Sequence, residues 1–459
     1  MANTNPARGM RDFLPSDVRK REYVIGIIKE VYESYGFEPL ETPAVENIET
    51  LMGKYGEEGN QLIFKILKRG EKLDESLETG EQSGSASGLS SPVSRLSDLA
   101  LRYDLTVPLA RVVANRKNDL PKFFKRYQIQ PVWRADRPAR GRFREFYQCD
   151  VDAIGSKSMT VEAELISAVS EILTRLGFED FVIRINHRQI LMGLLSSVGV
   201  PQELHSQALV ILDKLDKIGD EAIRTEYLNA GISQGNDLLD SVLPIIGADN
   251  SRKIEVLGEL LEGNPIAGSG LKDLDQIRQL VNNDVLVIDP TLARGLSYYT
   301  GTIMEINVPD LAGSLGGGGR YDELIGMFGK EQMPACGFSL GLERILVVMD
   351  ERGMFPPEIA SNASADVMVT IWNEDSTGES LKLANELRSD GLRVLLYPET
   401  DKLGKQLKYA SQLNIPWVCV LGESELALKK VTLKNMRSGE QSTIEHDQIY
   451  REIKKTSSS

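Results

Sequence analysis

The segment from Trp133 to Asp152, which reads WRADRPARGRFREFYQCDVD, constrains the fold more than any other, because its chemistry falls on alternate residues. Successive side chains of a β-strand point to opposite faces of a sheet, so this alternation predicts a strand whose two faces differ. One face is mostly apolar and can pack on a core: Phe143, Tyr147, Cys149 and Val151. The other carries guanidinium, aromatic, amide and carboxylate groups: Arg142, Arg144, Phe146, Gln148, Asp150 and Asp152. The polar face predicts a binding surface for a ligand that has both an anion and an amine.

A second strand is predicted just upstream, in FFKRYQIQPVWRAD, with Arg134 and Asp136 on one face. Residues Arg137 to Gly141 supply proline and glycine for a hairpin loop between the two strands. Residues 116–145 hold ten Lys or Arg against three Asp or Glu, whereas the whole chain has a formal charge of -14. This local reversal of sign favours an anionic partner over a hairpin whose charges are merely solvated.

The composition disfavours several classes of protein. A chain of 459 residues is long enough for two to four domains, and its three cysteines are too few and too scattered for a disulfide framework or a metal site. A pI near 5.0 disfavours a protein that coats nucleic acid nonspecifically, although a local basic site is compatible with specific binding. The N-terminus lacks an apolar signal core, and no apolar run approaches the ~20 residues that span a bilayer. We therefore expect a cytoplasmic protein without a membrane segment.

Periodicity and composition divide the chain into predicted domains. Residues 189–283 are nearly all helical in pattern and predict a helical insertion domain between two parts of a catalytic domain, residues 1–188 and 284–355. Residues 71–98 are rich in Ser, Gly and Glu and predict a flexible surface loop. Strand and helix patterns alternate over residues 364–459, which predicts a small α/β domain with a mainly parallel sheet.

Four consecutive glycines, Gly316 to Gly319, precede Arg320 but match neither a P-loop nor a dinucleotide-binding fingerprint. Such a run removes side chains where the backbone must approach a ligand or another strand closely. A tight turn and a ligand platform are both open interpretations of this run.

Histidine and arginine lead to opposite conclusions about the site. The three histidines have neither metal-ligand spacing nor a recognisable catalytic triad around them: His187, His205 and His446. Four arginines lie beside glycines or in strand contexts: Arg134, Arg142, Arg294 and Arg344. A planar guanidinium pairs bidentately with phosphate oxygens, so this set favours a polyphosphate ligand.

These motifs resemble a known family. WRAD with RFREF resembles motif 2 of the class II aminoacyl-tRNA synthetases, GFSLGLERI resembles motif 3, and YGFEPLETPAVE resembles motif 1, the dimer element. RYDLT, QCDVD, ARGLSYYTG and GGGGRYD together resemble the histidyl-tRNA synthetase family. The resemblance implies an α+β catalytic domain with an antiparallel sheet, a helical insertion domain and a C-terminal α/β anticodon-binding domain. It also implies a homodimer that uses ATP, with Mg²⁺, to activate L-histidine and transfer it to the 3′ end of tRNA(His).

The resemblance assigns roles to residues of this chain. ATP would contact Arg134, Asp136, Arg142, Phe146 and Arg344. Histidine would contact Asp104, Leu105, Thr106, Arg134, Gln148, Asp152, Arg294, Tyr298 and Tyr299. Arg134 and Arg294 would be the catalytic residues, whereas no ligand of a metal ion is identified.

Selectivity for the imidazole ring is assigned to Asp152 and Tyr299. A neutral imidazole has one donor and one acceptor nitrogen, so a carboxylate and a phenol complement it. The chain departs from the family pattern at Ser297, where Asp is frequent, and at Asp104 and Asp152, where some members have Glu.

Two other functions are alternatives. A synthetase-like regulatory paralogue would be expected to lose the ATP-binding arginines or the anticodon domain, and this chain keeps both. A nucleic-acid accessory subunit would not need Asp152 together with Tyr299. We therefore favour an active enzyme.

Overall fold

The computed structural model describes residues 4–69, 96–281, 284–293, 298–329, 331–360 and 363–457. The chain forms two compact units, one of residues 1–12 and 21–354 and the other of residues 13–20 and 355–459. Among the helices of these described ranges, none is long and apolar enough to cross a membrane. The predicted loop at 71–98 lies almost entirely outside the described residues, and the predicted domain boundaries stay predictions.

An eight-stranded sheet forms the centre of the first unit, and three further strands form a separate small sheet. The strands are β1 (Glu38–Pro39), β2 (Val45–Asn47), β3 (Lys65–Ile66), β4 (Leu99–Leu101), β5 (Phe124–Trp133), β6 (Glu145–Ile154), β7 (Val182–His187), β8 (Leu286–Ile288), β9 (Thr302–Asn307), β10 (Gly316–Arg320) and β11 (Ala335–Gly341). The large sheet has the order β1-β5-β6-β11-β10-β9-β7-β8, and the small sheet consists of β2, β4 and β3. The pairs of the large sheet are antiparallel except β1 with β5 and β7 with β8, which are parallel.

Helices flank this sheet and fill the predicted insertion. They are α1 (Pro15–Ser34), α2 (Ile48–Leu51), α3 (Gly56–Gln61), α4 (Thr106–Asn115), α5 (Thr160–Arg175), α6 (Arg188–Ser197), α7 (His205–Leu212), α8 (Leu215–Ile218), α9 (Asp220–Asn229), α10 (Gly235–Val242), α11 (Asn250–Leu260), α12 (Pro265–Val281) and α13 (Leu342–Glu351). The elements between Arg188 and Val281 are all helical, as the pattern predicted.

The predicted hairpin exists, but its strands are shorter than expected. Strands β5 and β6 pair in an antiparallel register that ends at Trp133 opposite Glu145. Arg142 and Arg144 therefore lie in the connection and not on β6, so the predicted alternation of faces is wrong for residues 142–144. Gly141, with φ +67°, and the bridge between Ala139 and Arg142 turn the chain out of the sheet before the strand begins.

The connection also carries the two residues that were predicted on the upstream strand. Arg134 and Asp136 follow the end of β5. Arg144 donates from Nε to the carbonyl oxygen of Asp136, at 3.0 Å, which ties one side of the connection to the other.

The four glycines form strand β10 in the middle of the sheet, which excludes the tight turn. Gly319 pairs with Gly337 of β11, and Gly337 pairs with Asp152 of β6. A methyl group at Gly318 would lie 2.2 Å from the carbonyl oxygen of Gly337, so the glycines allow a close approach of neighbouring strands. They also leave β10 without side chains at Gly316 to Gly319.

The second unit is an α/β domain around a five-stranded sheet. Its elements are α14 (Pro357–Ala360), β12 (Val367–Val369), α15 (Thr377–Ser389), β13 (Val394–Leu396), α16 (Leu403–Gln412), β14 (Trp417–Val420), α17 (Glu423–Leu428), β15 (Val431–Asn435), β16 (Gln441–Ile444) and α18 (Ile449–Ser457). The strands have the order β13-β12-β14-β15-β16. The pairs β12–β13 and β12–β14 are parallel, whereas β14–β15 and β15–β16 are antiparallel, so the prediction of a mainly parallel sheet is wrong.

Candidate active site

A cavity of about 340 Å³ lies over the polar face of the large sheet. It brings together most of the residues that the sequence assigned to a site. Ten of them line it: Asp104, Thr106, Arg134, Asp136, Arg142, Phe146, Gln148, Tyr298, Tyr299 and Arg344. Leu105 is buried at the start of α4 and does not line the cavity, and Arg294 lies outside the described residues.

Arg134 is held between two aromatic rings at the start of the β5–β6 connection. Its guanidinium carbon lies 4.3 Å from the centre of the Tyr103 ring and 5.2 Å from that of Phe146. Its Nε donates to the carbonyl oxygen of Tyr103, at 3.0 Å. These contacts leave little rotamer freedom to lose when an anion binds.

Arg344 enters the cavity from the first turn of α13. It donates from Nη1 to the carbonyl oxygen of Ser314. A methyl group at Gly141 would lie 3.1 Å from Arg344 Cγ, so glycine lets the β5–β6 connection come close to this arginine. The close approach brings the connection that carries Arg142 beside Arg344.

Asp104 is fully buried and lies at the edge of the cavity. Its carboxylate accepts hydrogen bonds from the hydroxyl of Tyr55 at 2.9 Å, the amide of Val107 at 3.1 Å and the hydroxyl of Tyr298 at 3.2 Å. Burial raises the pKa of Asp104, while the Val107 amide, Arg134 and the two phenols act in the opposite direction. The arrangement provides a held carboxyl group for a cationic ligand.

Asp152 and Tyr299 lie over paired glycines. A methyl group at Gly337 would lie 1.9 Å from Asp152 Oδ1, and one at Gly319 would lie 2.9 Å from Tyr299 Cδ1. Since Gly319 and Gly337 are direct partners across β10 and β11, the two side chains are neighbours on the same face. Tyr299 lines the cavity, whereas Asp152 lies deeper. Burial raises the pKa of Tyr299, so its phenol stays protonated and can donate a hydrogen bond.

Two partners of Asp152 were not predicted. Arg126 of β5, which lies opposite Asp152, forms an ion pair from Nη2 to Oδ2 at 2.8 Å, and the hydroxyl of Tyr321 donates to Oδ1. Arg126 is fully buried. The alternation of Arg126, Gln128 and Gln130 along the upstream strand is a sequence signal that could have identified this polar stripe.

Asp150 is the second carboxylate beside Arg126. Burial raises its pKa to about 7, with Arg126 acting against the shift and Asp152 adding to it. It is 2% exposed and pairs in register with Gln128 of β5 and Ser339 of β11. Behind the cavity, Arg126 forms an ion pair with Asp152 and interacts electrostatically with Asp150.

The segment that carries the two tyrosines is attached to β10. The amide of Thr300 donates to the carbonyl oxygen of Arg320 at 2.8 Å. Arg320 in turn donates to both carboxylate oxygens of Glu162, at 2.7 and 2.8 Å. This buried pair fixes the backbone that places Tyr298 and Tyr299.

Two further carboxylates line the cavity, Glu305 of β9 and Glu343 of α13. Oε2 of Glu343 accepts from the amide of Tyr147 at 2.9 Å, while Oε1 has no hydrogen-bond partner within the described residues. Burial raises the pKa of Glu343. Neither residue was predicted from the sequence. Glu305 lies in an otherwise apolar strand pattern.

Comparison with protein families gives a match over most of each unit. Residues 73–345 match the family model described as histidyl-tRNA synthetase, and residues 366–456 match the anticodon binding domain.

Individual proteins agree with this. Histidine–tRNA ligase of Christiangramia forsetii is 43% identical over 447 residues, which cover 95% of this chain and 96% of the relative. The ligase of Flavobacterium johnsoniae is 41% identical over 464 residues, with 96% and 97% covered.

Solved structures are similar over nearly the whole chain. The histidyl-tRNA synthetase from Nostoc sp. PCC 7120 has a TM-score of 0.80 and 32% identity, and covers 99% of this chain and 100% of its own. An ATP phosphoribosyltransferase regulatory subunit/histidyl-tRNA synthetase from Bacillus halodurans has a TM-score of 0.73, with 92% of this chain and 99% of its own covered. Its 22% identity shows the fold alone. The matched family model, the identity to curated relatives and the fold agree, and the chain belongs to the histidyl-tRNA synthetase family.

Proposed function

We propose that the protein is a histidine–tRNA ligase, which activates L-histidine with ATP to histidyl-adenylate and transfers histidine to the 3′ end of tRNA(His). The observation that carries this proposal is the composition of one cavity. Three arginines suited to phosphate, Arg134, Arg142 and Arg344, line it together with acceptors for an ammonium group, Asp104 and Gln148. A regulatory paralogue would not need the complete set.

ATP occupies the side of the cavity formed by the connection and α13. Arg134 contacts the α-phosphate and the histidine carboxylate, and Arg142 and Arg344 contact the outer phosphates. Phe146 stacks on adenine, and Asp136 lies near its edge. The two aromatic contacts of Arg134 support this role, because they hold the guanidinium for bidentate binding.

Histidine occupies the side formed by α4, β6 and the tyrosine segment. Asp104, Thr106 and Gln148 accept hydrogen bonds from its α-ammonium group, and Leu105 contributes backbone. Tyr299 and Asp152 select the imidazole, and their position over paired glycines supports this assignment. Arg126 and Tyr321 hold the Asp152 carboxylate in place. A site built from hydrogen bonds can discriminate by ~10⁴-fold against analogues that leave its groups unpaired.

The reaction needs no protein nucleophile. The histidine carboxylate attacks the α-phosphorus of ATP and pyrophosphate leaves; the ribose hydroxyl of tRNA then attacks the adenylate. Arg134 and Arg294 stabilise the charge that develops at the α-phosphorus. Burial raises the pKa of Cys149 and Cys336, so neither is an available thiolate.

Glu305 and Glu343 are the residues that would hold Mg²⁺. Carboxylate oxygens suit this ion, and the unpaired Oε1 of Glu343 is consistent with a cation. Bound with ATP, Mg²⁺ supplies further neutralisation of phosphate charge.

The remaining partners follow from the family. Residues 364–459 bind the anticodon, and the loop from Arg137 to Gly141 lies near the acceptor end of tRNA. A homodimer forms through the motif 1 segment, residues 35–46. We assign the protein to the cytoplasm, where translation takes place.

Histidine-dependent exchange between ATP and labelled pyrophosphate tests the activation step. We expect exchange with L-histidine and none with the other proteinogenic amino acids. Folded protein that gives no exchange with histidine contradicts the proposed function and favours the regulatory alternative.

Arg294→Ala tests the assigned catalytic role. We expect the rate of exchange to fall by about 100-fold or more, because one stabilising charge at the α-phosphorus is lost. The temperature of thermal unfolding should stay close to that of the wild type. A wild-type exchange rate in this variant would refute the role of Arg294.

A further inference from the structure

Three polar side chains are neighbours at the floor of the cavity and directly behind it: Gln148 and Asp150 of β6, with Ser339 of β11. Nε2 of Gln148 lies 2.8 Å from Oγ of Ser339. Ser339 pairs in register with Asp150, so the two side chains are neighbours on one face, and hydrogen bonding by the Ser339 hydroxyl lowers the pKa of the carboxylate.

The protons on Asp150 and Ser339 determine which way the Gln148 amide points. An ionised carboxylate only accepts hydrogen bonds, and a serine hydroxyl has a single proton. When Ser339 donates that proton to Asp150, its oxygen can only accept from Gln148. The NH₂ end of the amide must therefore face Ser339.

The carbonyl end of the same amide then has no protein donor. Oε1 of Gln148 is buried and has no hydrogen-bond partner within the described residues, although Gln148 lines the cavity. A buried acceptor that stays unsatisfied is unfavourable, so a ligand donor at this position is favoured. An ammonium group supplies such a donor.

We propose that Ser339 and Asp150 are positioning residues, which fix the Gln148 amide with its carbonyl oxygen toward the α-ammonium group of the bound amino acid. This inference rests on the proposed function, because it takes the amino acid to be the ligand of Gln148. It adds a specificity device for the α-amine in which Ser339 lines the cavity and Asp150 lies behind it.

The ionisation of Asp150 controls the device. A protonated Asp150 can donate to Ser339, and Ser339 can then donate to Gln148, which turns the NH₂ group toward the ammonium and repels it. The charged and titratable groups that interact with Asp150 are Arg126 of β5, Cys149 and Asp152 of β6, Asp104 before α4, Tyr299 before β9, Arg102 after β4 and Tyr32 of α1. Burial raises the pKa of Asp150 to about 7, which makes the device sensitive to pH near neutrality.

The experiment compares two ligands that differ only in the α-amine. L-histidine and 3-(imidazol-4-yl)propanoate are measured as substrate and competitive inhibitor of ATP–pyrophosphate exchange, for the wild type and for Ser339→Ala. We expect Ser339→Ala to raise KM for histidine by about tenfold, with kcat changed less than about threefold. The inhibition constant of the analogue should not change, because it makes no contact through an amine.

Two variants control for a purely structural effect. Ser339→Thr keeps the hydroxyl and should restore KM to within about threefold of the wild type. Ser170→Ala removes the hydroxyl of a buried serine on α5, outside the cavity, and should leave KM unchanged. Thermal unfolding of all variants shows whether each is folded.

The ratio of the inhibition constant of the analogue to KM for histidine also tests the effect of pH. At each pH this ratio is measured for the wild type and for Ser339→Ala, and the wild-type ratio is divided by that of the variant, which cancels the titration of the two free ligands. We expect this quotient to fall between pH 8 and pH 6. Equal KM for histidine in wild type and Ser339→Ala would overturn the inference while leaving the proposed function intact. An equal rise of KM for histidine and of the inhibition constant of the analogue in Ser339→Ala would also overturn the inference. A wild type without histidine-dependent exchange would overturn the proposed function itself, and this inference with it.

Discussion

At the scale of single residues, one buried cluster contains two carboxyl groups and a single guanidinium: Asp150, Asp152 and Arg126. Asp152 forms the ion pair with Arg126 at 2.8 Å. Asp150 has the weaker compensation, and burial raises its pKa to about 7. The folded protein therefore holds a proton on Asp150 over a range of pH in which the unfolded chain has lost it.

Asp150→Asn should change the pH dependence of stability in a defined direction. Since the folded pKa is raised above the unfolded value near 3.8, this group stabilises the wild type below about pH 4, and the contribution is lost as pH rises through about 7. We compare the free energy of unfolding of Asp150→Asn with that of the wild type at each pH. We expect the difference, variant minus wild type, to increase by about 1 kcal/mol or more from pH 5 to pH 8. Urea unfolding at both pH values measures this difference. A variant that loses stability relative to the wild type as pH rises would contradict it.

At the scale of elements, the glycines of β10 and β11 shape the cavity floor. Gly337→Ala would place a methyl group 1.9 Å from Asp152 Oδ1 and 3.1 Å from the carbonyl oxygen of Val151. We expect this variant to unfold at a lower temperature and to have a KM for histidine that is raised by about tenfold or more, because Asp152 must move.

Gly317→Ala is the matched control for that variant. Its methyl group would have one atom within 4 Å, the carbonyl oxygen of Met304 at 3.1 Å. We expect a smaller change in unfolding temperature than for Gly337→Ala. Equal destabilisation of the two variants would show that the contact with Asp152 is not the cause.

The elements also show what the sequence can and cannot predict. Alternation correctly placed Phe146, Gln148, Asp150 and Asp152 on one face, because strand periodicity is a local property. It failed at residues 142–144, because the chain turns at Gly141, which has a left-handed conformation, and Arg142 and Arg144 lie outside the strand. Local patterns cannot show which strands pair, so the ion pair between Arg126 and Asp152 was not predicted. The β15–β16 hairpin was missed because its alternating strand is largely polar and exposed.

At the scale of the whole molecule, the fold class and the family agree with the prediction from motifs. The cavity gathers residues from Asp104 to Arg344, which are far apart in sequence but lie on neighbouring elements of one sheet and the helices beside it. Order and spacing of motifs indicated this arrangement, whereas the deeper partners of the site required the register of the strands.

The central claim is that this chain attaches histidine to tRNA(His), and aminoacylation measures that most directly. The purified protein is incubated with ATP, Mg²⁺, labelled L-histidine and a tRNA(His) transcript, and the label that precipitates with tRNA is counted. We expect labelled tRNA(His), and neither label on a non-cognate tRNA nor charging with any other amino acid. Folded protein that leaves tRNA(His) unlabelled under these conditions would contradict the account.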